Sequence, residues 1–371
     1  MSRKRNILLY PFSLVYGAIT AIRNFLYDTE VLTSHEFSIP VICIGNITAG
    51  GTGKTPHAEY LIRLLGKDFK TAFLSRGYLR KSRGFITAAP DAGVKDIGDE
   101  PLQIRRKFPE ITVAVDSDRV RGVKTILAEF PDTEVIILDD GFQHRSITPG
   151  LSILLTDHQR LMISDHLLPY GNLRESLKNI RRADIIVVTK SPSDISPMDM
   201  RIIRKNIGKA PYQELFFTSL GYGSPVPIFS ETPPWESVST ENEKNINVLL
   251  VTGIANPDPL KDYLTASFGE VVHLSFRDHH DFSATDIEKV TAAFTAMKGQ
   301  DKVIITTEKD AQRLGEIANI AQPVKASAYF IPLTVVFREE EKKIFDNLIL
   351  NYVRKNKRNN RVSEIQGLHR S

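Results

Sequence analysis

Residues 7–22 carry no charge. Through and just past them, Leu8, Phe12, Val15, Ile19, Ile22 and Leu26 recur at alternating steps of four and three, while Ser13, Gly17, Thr20 and Asn24 recur in the same rhythm on another face. That period predicts an amphipathic helix, irregular near Pro11. The run is shorter than the roughly 20 apolar residues a spanning helix needs. Three roles compete for it: a signal peptide, a helix packed on the core, or a helix lying in a membrane interface with Arg3, Lys4 and Arg5 near anionic headgroups. No small-residue cleavage site follows, which weighs against the first. The other two are compatible, and an interfacial helix over residues 1–28 is the expectation.

From Ile39 the rhythm changes. Short β-branched runs predict strands at 41–44, 71–74, 112–115, 135–138, 152–155 and 185–189, with helical stretches such as 57–65, 99–107 and 119–130 between them. Such alternation predicts an α/β fold, a doubly wound and mostly parallel sheet that binds ligands at the carboxyl ends of its strands. The pattern breaks at 221–245, where Pro225, Pro227, Pro233 and Pro234 precede a polar run. A second, smaller α/β unit restarts at 246–253, continues through 271–276 and 303–306, and ends with a strand at 335–337 and a helix from about 339 to 352. The expected division is therefore an interfacial helix (1–28), a phosphate-binding domain (29–225), a linker (226–245), a second α/β domain closing over the site (246–354) and a basic, disordered tail (355–371).

Composition adds bounds. A chain of 371 residues, 42% hydrophobic and 25% charged, suits two globular domains with a large core. The formal net charge of +4 is too modest to argue for nucleic acid. The single cysteine, Cys43, excludes an intramolecular disulfide and a Cys-based zinc site, and its place in a predicted strand suggests packing.

The chemistry centres on Gly45-Asn46-Ile47-Thr48-Ala49-Gly50-Gly51-Thr52-Gly53-Lys54-Thr55, directly after the first predicted strand. Strand, glycine loop, Gly-Lys-Thr and helix make a phosphate cradle. The expectation is that backbone N–H groups of Thr48, Ala49, Gly50, Gly51, Thr52 and Gly53 close on phosphate oxygens, with Lys54 adding a point charge and Thr55 able to hold a magnesium ion; the alternative is a Gly-rich turn with an incidental Lys-Thr. Strict spacing puts a glycine where Thr48 stands, so Gly50 and Gly51 are expected to supply the positive-φ turns. Downstream, the strand at 135–138 ends in Asp139-Asp140-Gly141, and a carboxylate there is the expected magnesium partner. Neighbouring side chains on a regular strand point opposite ways, so the two acids do not share one task.

Other strand ends carry polar loops with open readings. Asp99, in Gly98-Asp99-Glu100-Pro101, is either a helix N-cap or a base for an attacking hydroxyl. Asp278-His279-His280-Asp281 reads equally as a metal site or as a histidine reaching a carboxylate across a domain cleft. Ser75-Arg76-Gly77-Tyr78, Leu168-Pro169-Tyr170-Gly171-Asn172-Leu173-Arg174-Glu175 and Thr306-Thr307-Glu308-Lys309-Asp310 add polar groups to the same rim.

Taken in order, these motifs resemble the tetraacyldisaccharide 4′-kinases, the lipid A 4′-kinases of Gram-negative bacteria. The resemblance covers about 8–337 and rests on the glycine loop at 45–56, Ser-Arg-Gly-Tyr at 75–78, Gly-Asp-Glu-Pro at 98–101, Asp-Asp-Gly-Phe-Gln-His at 139–144, Leu-Pro-Tyr-Gly-Asn-Leu-Arg-Glu at 168–175, Asp-His-His at 278–280 and Thr-Thr-Glu-Lys-Asp at 306–310. It implies a peripheral or monotopic kinase on the cytoplasmic face of the inner membrane. Such an enzyme uses ATP and Mg2+ to phosphorylate the 4′-hydroxyl of a tetraacylated glucosamine disaccharide 1-phosphate. By position, Asp99 is the implied base and His279 its partner. Lys54 and Thr55 match the phosphate and magnesium residues, and Asp139 and Asp140 the acidic strand end. Arg76, Glu100, Arg119, Gln143, His144, Arg174 and Glu175 match polar positions near the substrate. The implied partners are the lipid and a membrane surface, with no nucleic acid and no protein partner. Two rivals stand: a membrane-docked P-loop ATPase or GTPase switch, and a kinase for another amphiphilic sugar.

Overall fold

The computed structural model describes residues 6–238, 243–278, 280–299, 301–317 and 320–368, with side chains as far as residue 356. The chain forms two compact units, one of residues 1–90, 104–220 and 335–371, the other of 91–103 and 221–334.

The strands are β1 (Val41–Gly45), β2 (Thr71–Ser75), β3 (Ile86–Thr87), β4 (Thr112–Val115), β5 (Val135–Asp139), β6 (Leu151–Asp157), β7 (Ile185–Thr189), β8 (Glu214–Tyr222), β9 (Val226–Pro227), β10 (Asn247–Thr252), β11 (Val271–Ser275), β12 (Lys302–Thr307), β13 (Ala328–Ile331) and β14 (Leu333–Phe337). A nine-stranded sheet has the order β14-β8-β7-β6-β1-β5-β2-β4-β3. From β8 through β4 its pairs are parallel, and β3 joins β4 antiparallel at the edge. Strands β1, β2, β5 and β7 are buried at every residue, as their unbroken apolar runs require in a sheet covered on both faces. β1 lies between β5 and β6, where the strand order changes direction. The carboxyl end of β1 is therefore a switch point, the usual ligand position of such sheets.

The second unit holds a five-stranded sheet, β11-β10-β12-β13-β9, parallel except for β9. Its core includes Trp235, which meets Phe268 and Tyr329 edge to face.

The division differs from the expected one in four places. Residues 91–103, and with them Asp99 and Glu100, belong to the second unit. Ile97 and Leu102 are buried, and apolar spacing alone does not say against which unit. The proline-rich stretch expected as a linker is part of the second unit: β9 pairs with β13, and Trp235 is in the core. β14 joins the large sheet, because Phe337 packs on Tyr60 and Phe216. The C-terminal helix Glu339–Leu368 goes with it, since Phe345 stacks among the same rings and Ile349 and Val353 are buried. Finally, that helix runs on to Leu368 where a disordered tail was expected. No proline interrupts 355–368, and Lys, Arg, Gln and Glu are good helix formers.

The N-terminal helix Tyr10–Asp28 follows a short 3-10 turn at Ile7–Leu9. Ser13 and Asn24 are its buried residues, while Leu8, Phe12, Val15, Ile19 and Ile22 remain 60–73% exposed. No described helix is long and apolar enough to cross a membrane.

Candidate active site

Gly45 ends β1 against Phe142, so closely that a Cβ would lie 2.5 Å from the Phe142 Cβ. The loop then turns out of the sheet. Thr48 makes an isolated antiparallel bridge with Leu173. That extended state suits any residue, which explains the threonine at a position where strict spacing has glycine. The positive-φ turns fall at Gly50 (φ 111°) and Gly53 (φ 83°), not at Gly51. Gly53 leads into the helix Lys54–Leu65, whose first N–H groups have no intrahelical partners and adjoin those of the loop. Asn46 braces the turn from inside: its Nδ2 donates to the Thr48 carbonyl and the Thr52 hydroxyl, each at 2.8 Å. Gln143 Nε2 donates to the Asn46 carbonyl at 2.7 Å.

The acidic strand end lies alongside, with Ile44 of β1 in register with Asp139 of β5. Ser75 Oγ donates to Asp139 Oδ2 at 3.0 Å. Asp140 leaves the strand at φ 47°, so the two acids escape the alternation of a regular strand. Its carboxylate faces Lys54 at 3.6 Å and Arg174 at 3.0 Å. Burial alone would push the Asp140 carboxyl up, but Lys54 and Arg174 outweigh it and hold it below the ordinary carboxylate value. Phosphate-bound magnesium asks for one or two protein oxygens. Thr55, Asp139 and Asp140 fit, and Asp140 Oδ1 is buried with no hydrogen-bond donor among the described residues.

Around this end, Arg119 acts as a clamp. It is fully buried and its guanidinium donates to the carbonyls of Asp116 and Asp139, the latter at 3.1 Å. Arg76 is exposed just after β2. Burial first, then Arg119 and Arg76, push His144 down to about 4, so its ring is neutral near pH 7. Glu175 accepts from Asn179 at 3.0 Å and from Arg182. Burial raises its pKa against the pull of Arg182.

In the second unit Asp99 is the first residue of the helix Asp99–Lys107 rather than its cap, and is only 3% exposed. Arg313 grips its carboxylate with two bonds, Nε to Oδ1 at 3.0 Å and Nη2 to Oδ2, and donates from Nη1 to the His280 carbonyl at 3.1 Å. Burial works against the charge on Arg313, but its bonds to Asp99 outweigh that and raise its pKa. Lys309 pairs with Glu100 at 3.1 Å. His280 is engaged elsewhere: Nε2 meets Asp286 at 2.9 Å and the ring stacks on Phe276. His279 lies outside the described residues. Asp99 and the described residues Asp278, His280 and Asp281 belong to one unit. Among the described residues, no three His, Cys, Asp or Glu side chains gather as a metal site.

The family model for LpxK, tetraacyldisaccharide-1-P 4′-kinase, matches residues 5–354. A tetraacyldisaccharide 4′-kinase of Bacteroides thetaiotaomicron is 46% identical over 370 residues, covering 98% of this chain and 97% of its own. That of Phocaeicola vulgatus is 48% identical over 363 residues, covering 97% and 98%. The chain belongs to the tetraacyldisaccharide 4′-kinase family. The crystal structure of LpxK from Aquifex aeolicus in complex with ATP superposes with a TM-score of 0.72 at 30% identity, over 93% of this chain and 98% of that one.

Membership in the tetraacyldisaccharide 4′-kinases makes the chain a phosphotransferase with an alcohol acceptor, acting in lipid A biosynthesis. Within that frame the sequence motifs divide between the two units. The glycine loop, Arg76, Arg119, Asp139, Asp140, Gln143, His144, Arg174 and Glu175 lie in the first; Asp99 and Glu100 lie in the second. Motif reading missed Arg313, which is 214 positions from its partner Asp99. Its only sequence signal is its place one helical turn after Asp310.

Proposed function

We propose that this chain transfers the γ-phosphate of ATP to the 4′-hydroxyl of a tetraacyl glucosamine disaccharide 1-phosphate, at the cytoplasmic surface of the inner membrane. The mounting of the N-terminal helix is the observation that carries this reading. Its polar side grips the 167–174 segment: Ser13 Oγ donates to the Leu167 carbonyl at 2.8 Å, and Tyr16 donates to the Arg174 carbonyl at 2.8 Å. That segment in turn holds the glycine loop, through Arg174 N to the Ile47 carbonyl and Ala49 N to the Asn172 carbonyl, each at 2.7 Å. The outward face is apolar, the reverse of an ordinary surface helix. An apolar face so close to a phosphate loop suits an acceptor whose acyl chains stay in the bilayer. ATP as donor is supported by the ATP bound to the Aquifex relative.

In this reading Lys54 and the loop N–H groups from Gly50 to Gly53 neutralise the phosphates; the Ala49 N–H, expected among them, donates to the Asn172 carbonyl instead. Magnesium, when bound, adds charge neutralisation, held by Thr55 with Asp139 and Asp140. Asp99, with His279, takes the proton of the attacking hydroxyl. Arg313 holds both oxygens of the Asp99 carboxylate, through Nε to Oδ1 at 3.0 Å and Nη2 to Oδ2, and so fixes its orientation. A loose phosphoryl-transfer transition state asks little more, because proton loss is late and orientation dominates.

The test is transfer from γ-labelled ATP to the tetraacyl disaccharide 1-phosphate in detergent micelles with magnesium, beside a lipid-free control. Lipid-dependent label in the organic phase, lost in Asp99→Ala, supports the reading. Nucleotide hydrolysis without labelled lipid would replace it with a P-loop switch.

A further inference from the structure

The glycine loop is gripped along its outer side by side chains that none of its motifs include. Lys190 Nζ donates to the Gly51 carbonyl at 2.5 Å and is ion-paired with Asp157 at 2.8 Å. Thr189 Oγ1 donates to the Thr52 carbonyl at 2.9 Å, nearer than its other neighbour, the Thr156 carbonyl at 3.3 Å. His57 Nδ1 lies 2.7 Å from the Gly53 carbonyl. A carbonyl only accepts, so Nδ1 carries the proton, and Nε2 accepts from the Thr218 hydroxyl at 3.0 Å. Three successive carbonyls thus each have a side-chain donor. Two come from the end of β7; the third comes from the helix after the loop, anchored on β8.

The consequence follows from peptide geometry. In a planar trans peptide the C=O of one residue and the N–H of the next point in opposite directions. Fixing the carbonyls of Gly51, Thr52 and Gly53 therefore fixes the N–H groups of Thr52, Gly53 and Lys54, and aims them away from the three donors. Those N–H groups are the ones a phosphate cradle uses. The grip is built in: Thr189, Thr52 and His57 are buried. Lys190 sits at φ 55°, a backbone state lysine rarely adopts, with its ammonium against the loop.

We propose that Thr189, Lys190 and His57 are positioning residues for phosphoryl transfer, which orient the loop N–H groups before the nucleotide arrives. Binding then need not order the loop, and the N–H groups are already aimed where charge must be met. The inference rests on ATP being the nucleotide this loop holds.

The test is calorimetric titration of the full-length chain with ATP, joined to turnover at varied ATP and varied lipid, for wild type, Thr189→Val, Thr189→Ser and Lys190→Met. Valine keeps the shape of threonine and removes the donor; serine keeps the donor. Leaving a buried carbonyl without its donor is expected to weaken ATP binding roughly 5- to 100-fold in Thr189→Val. Thr189→Ser is expected to stay near wild type, and the KM for lipid to stay unchanged in all variants. Lys190→Met, at a partly exposed position, gives the same pattern and stands in if the valine variant does not fold. Wild-type ATP affinity in both Thr189→Val and Lys190→Met would overturn the proposal. So would a loss in Thr189→Ser equal to that in Thr189→Val, or a lipid KM that rises in step with the ATP KM. A wild-type chain that binds no ATP would remove the nucleotide reading and this proposal together, an outcome visible without any substitution.

Discussion

Ile19 and Ile22 lie on the outward face of the N-terminal helix, 61% and 60% exposed. Replacing both with serine removes little that the folded chain uses, so the unfolding temperature is expected to stay within about 2 °C of wild type. On a bilayer the consequence is larger. Burying an isoleucine side chain completely is worth about 1.5–3 kcal/mol, and with about three-fifths of each still to bury, each contributes roughly 1–2 kcal/mol to partitioning. The pair is then worth about 2–4 kcal/mol, or roughly 30- to 1,000-fold in the partition coefficient. Sedimentation with sucrose-loaded vesicles of phosphatidylethanolamine and phosphatidylglycerol, at fixed salt, reads this directly. Met198, 66% exposed on the helix Pro197–Ile207, supplies the control, since its loss should leave partitioning unchanged. A drop below about threefold in the Ile19→Ser/Ile22→Ser variant would refute the interfacial role of this helix, because apolar transfer alone predicts more. An equal drop in Met198→Ser would mean that vesicles sense exposed apolar surface anywhere on the chain.

Lys54→Met removes the cation that faces Asp140 at 3.6 Å, and kcat is expected to fall about 100- to 1,000-fold while vesicle binding persists; a kcat within a few-fold of wild type would take Lys54 out of the phosphate site. Arg313→Met leaves the Asp99 carboxylate buried without its guanidinium, expected to cost about 3–5 kcal/mol in urea unfolding. Asp99→Asn in that background should recover part of the loss, and simple additivity of the two changes would deny the coupling. The Cys43 thiol is pushed up to about 12, by burial first and then by the Asp140 carboxylate. It should therefore ignore a disulfide reagent in the native chain from about pH 7 to 9 and titrate as one thiol after denaturation; rapid native reaction would mean that β1 opens on the assay time scale.

What the sequence reveals and what it hides divide along one physical line. Six strands of the large sheet, β1, β2, β4, β5, β6 and β7, are legible because burial leaves β-branched runs, and β4 and β7 lie where the pattern predicts them; β3 and β8, at or near its edges, carry no such prediction, and β14 was expected in the second unit. The glycine loop and the acidic strand end are legible because a backbone requirement or a contiguous motif marks each. Partner choice is not encoded that way. Phe337 and Phe345 announce burial, but nothing local says that Tyr60 and Phe216 receive them. Asp99 reads as a cap or a base, and its grip by Arg313 depends on tertiary placement of residues far apart in the chain. Thr189 and Lys190 read only as a strand end until the loop carbonyls are seen against them.

The N-terminal helix shows where the line can be pushed back. Its period defines an apolar face and a small polar face, but period alone does not say which of them docks. Gly17 decides it: a Cβ there would lie 2.8 Å from Leu167 Cδ1. There the helix backbone lies against the Leu167 side chain, and Ser13, one turn earlier on that face, donates its hydroxyl to the Leu167 carbonyl. The helix thus docks through the stripe of its small and polar residues and keeps its apolar side exposed, the side that the proposed interfacial role assigns to a membrane. Substituting Gly17 with leucine would force the helix off the 167–174 segment while leaving the apolar face intact. Vesicle binding should then survive while turnover fails, because the segment that the helix steadies is the one that holds the Ile47 and Ala49 backbone of the glycine loop. Loss of both together would place the two tasks on a single surface, and the separation of faces argued from Gly17 would not stand.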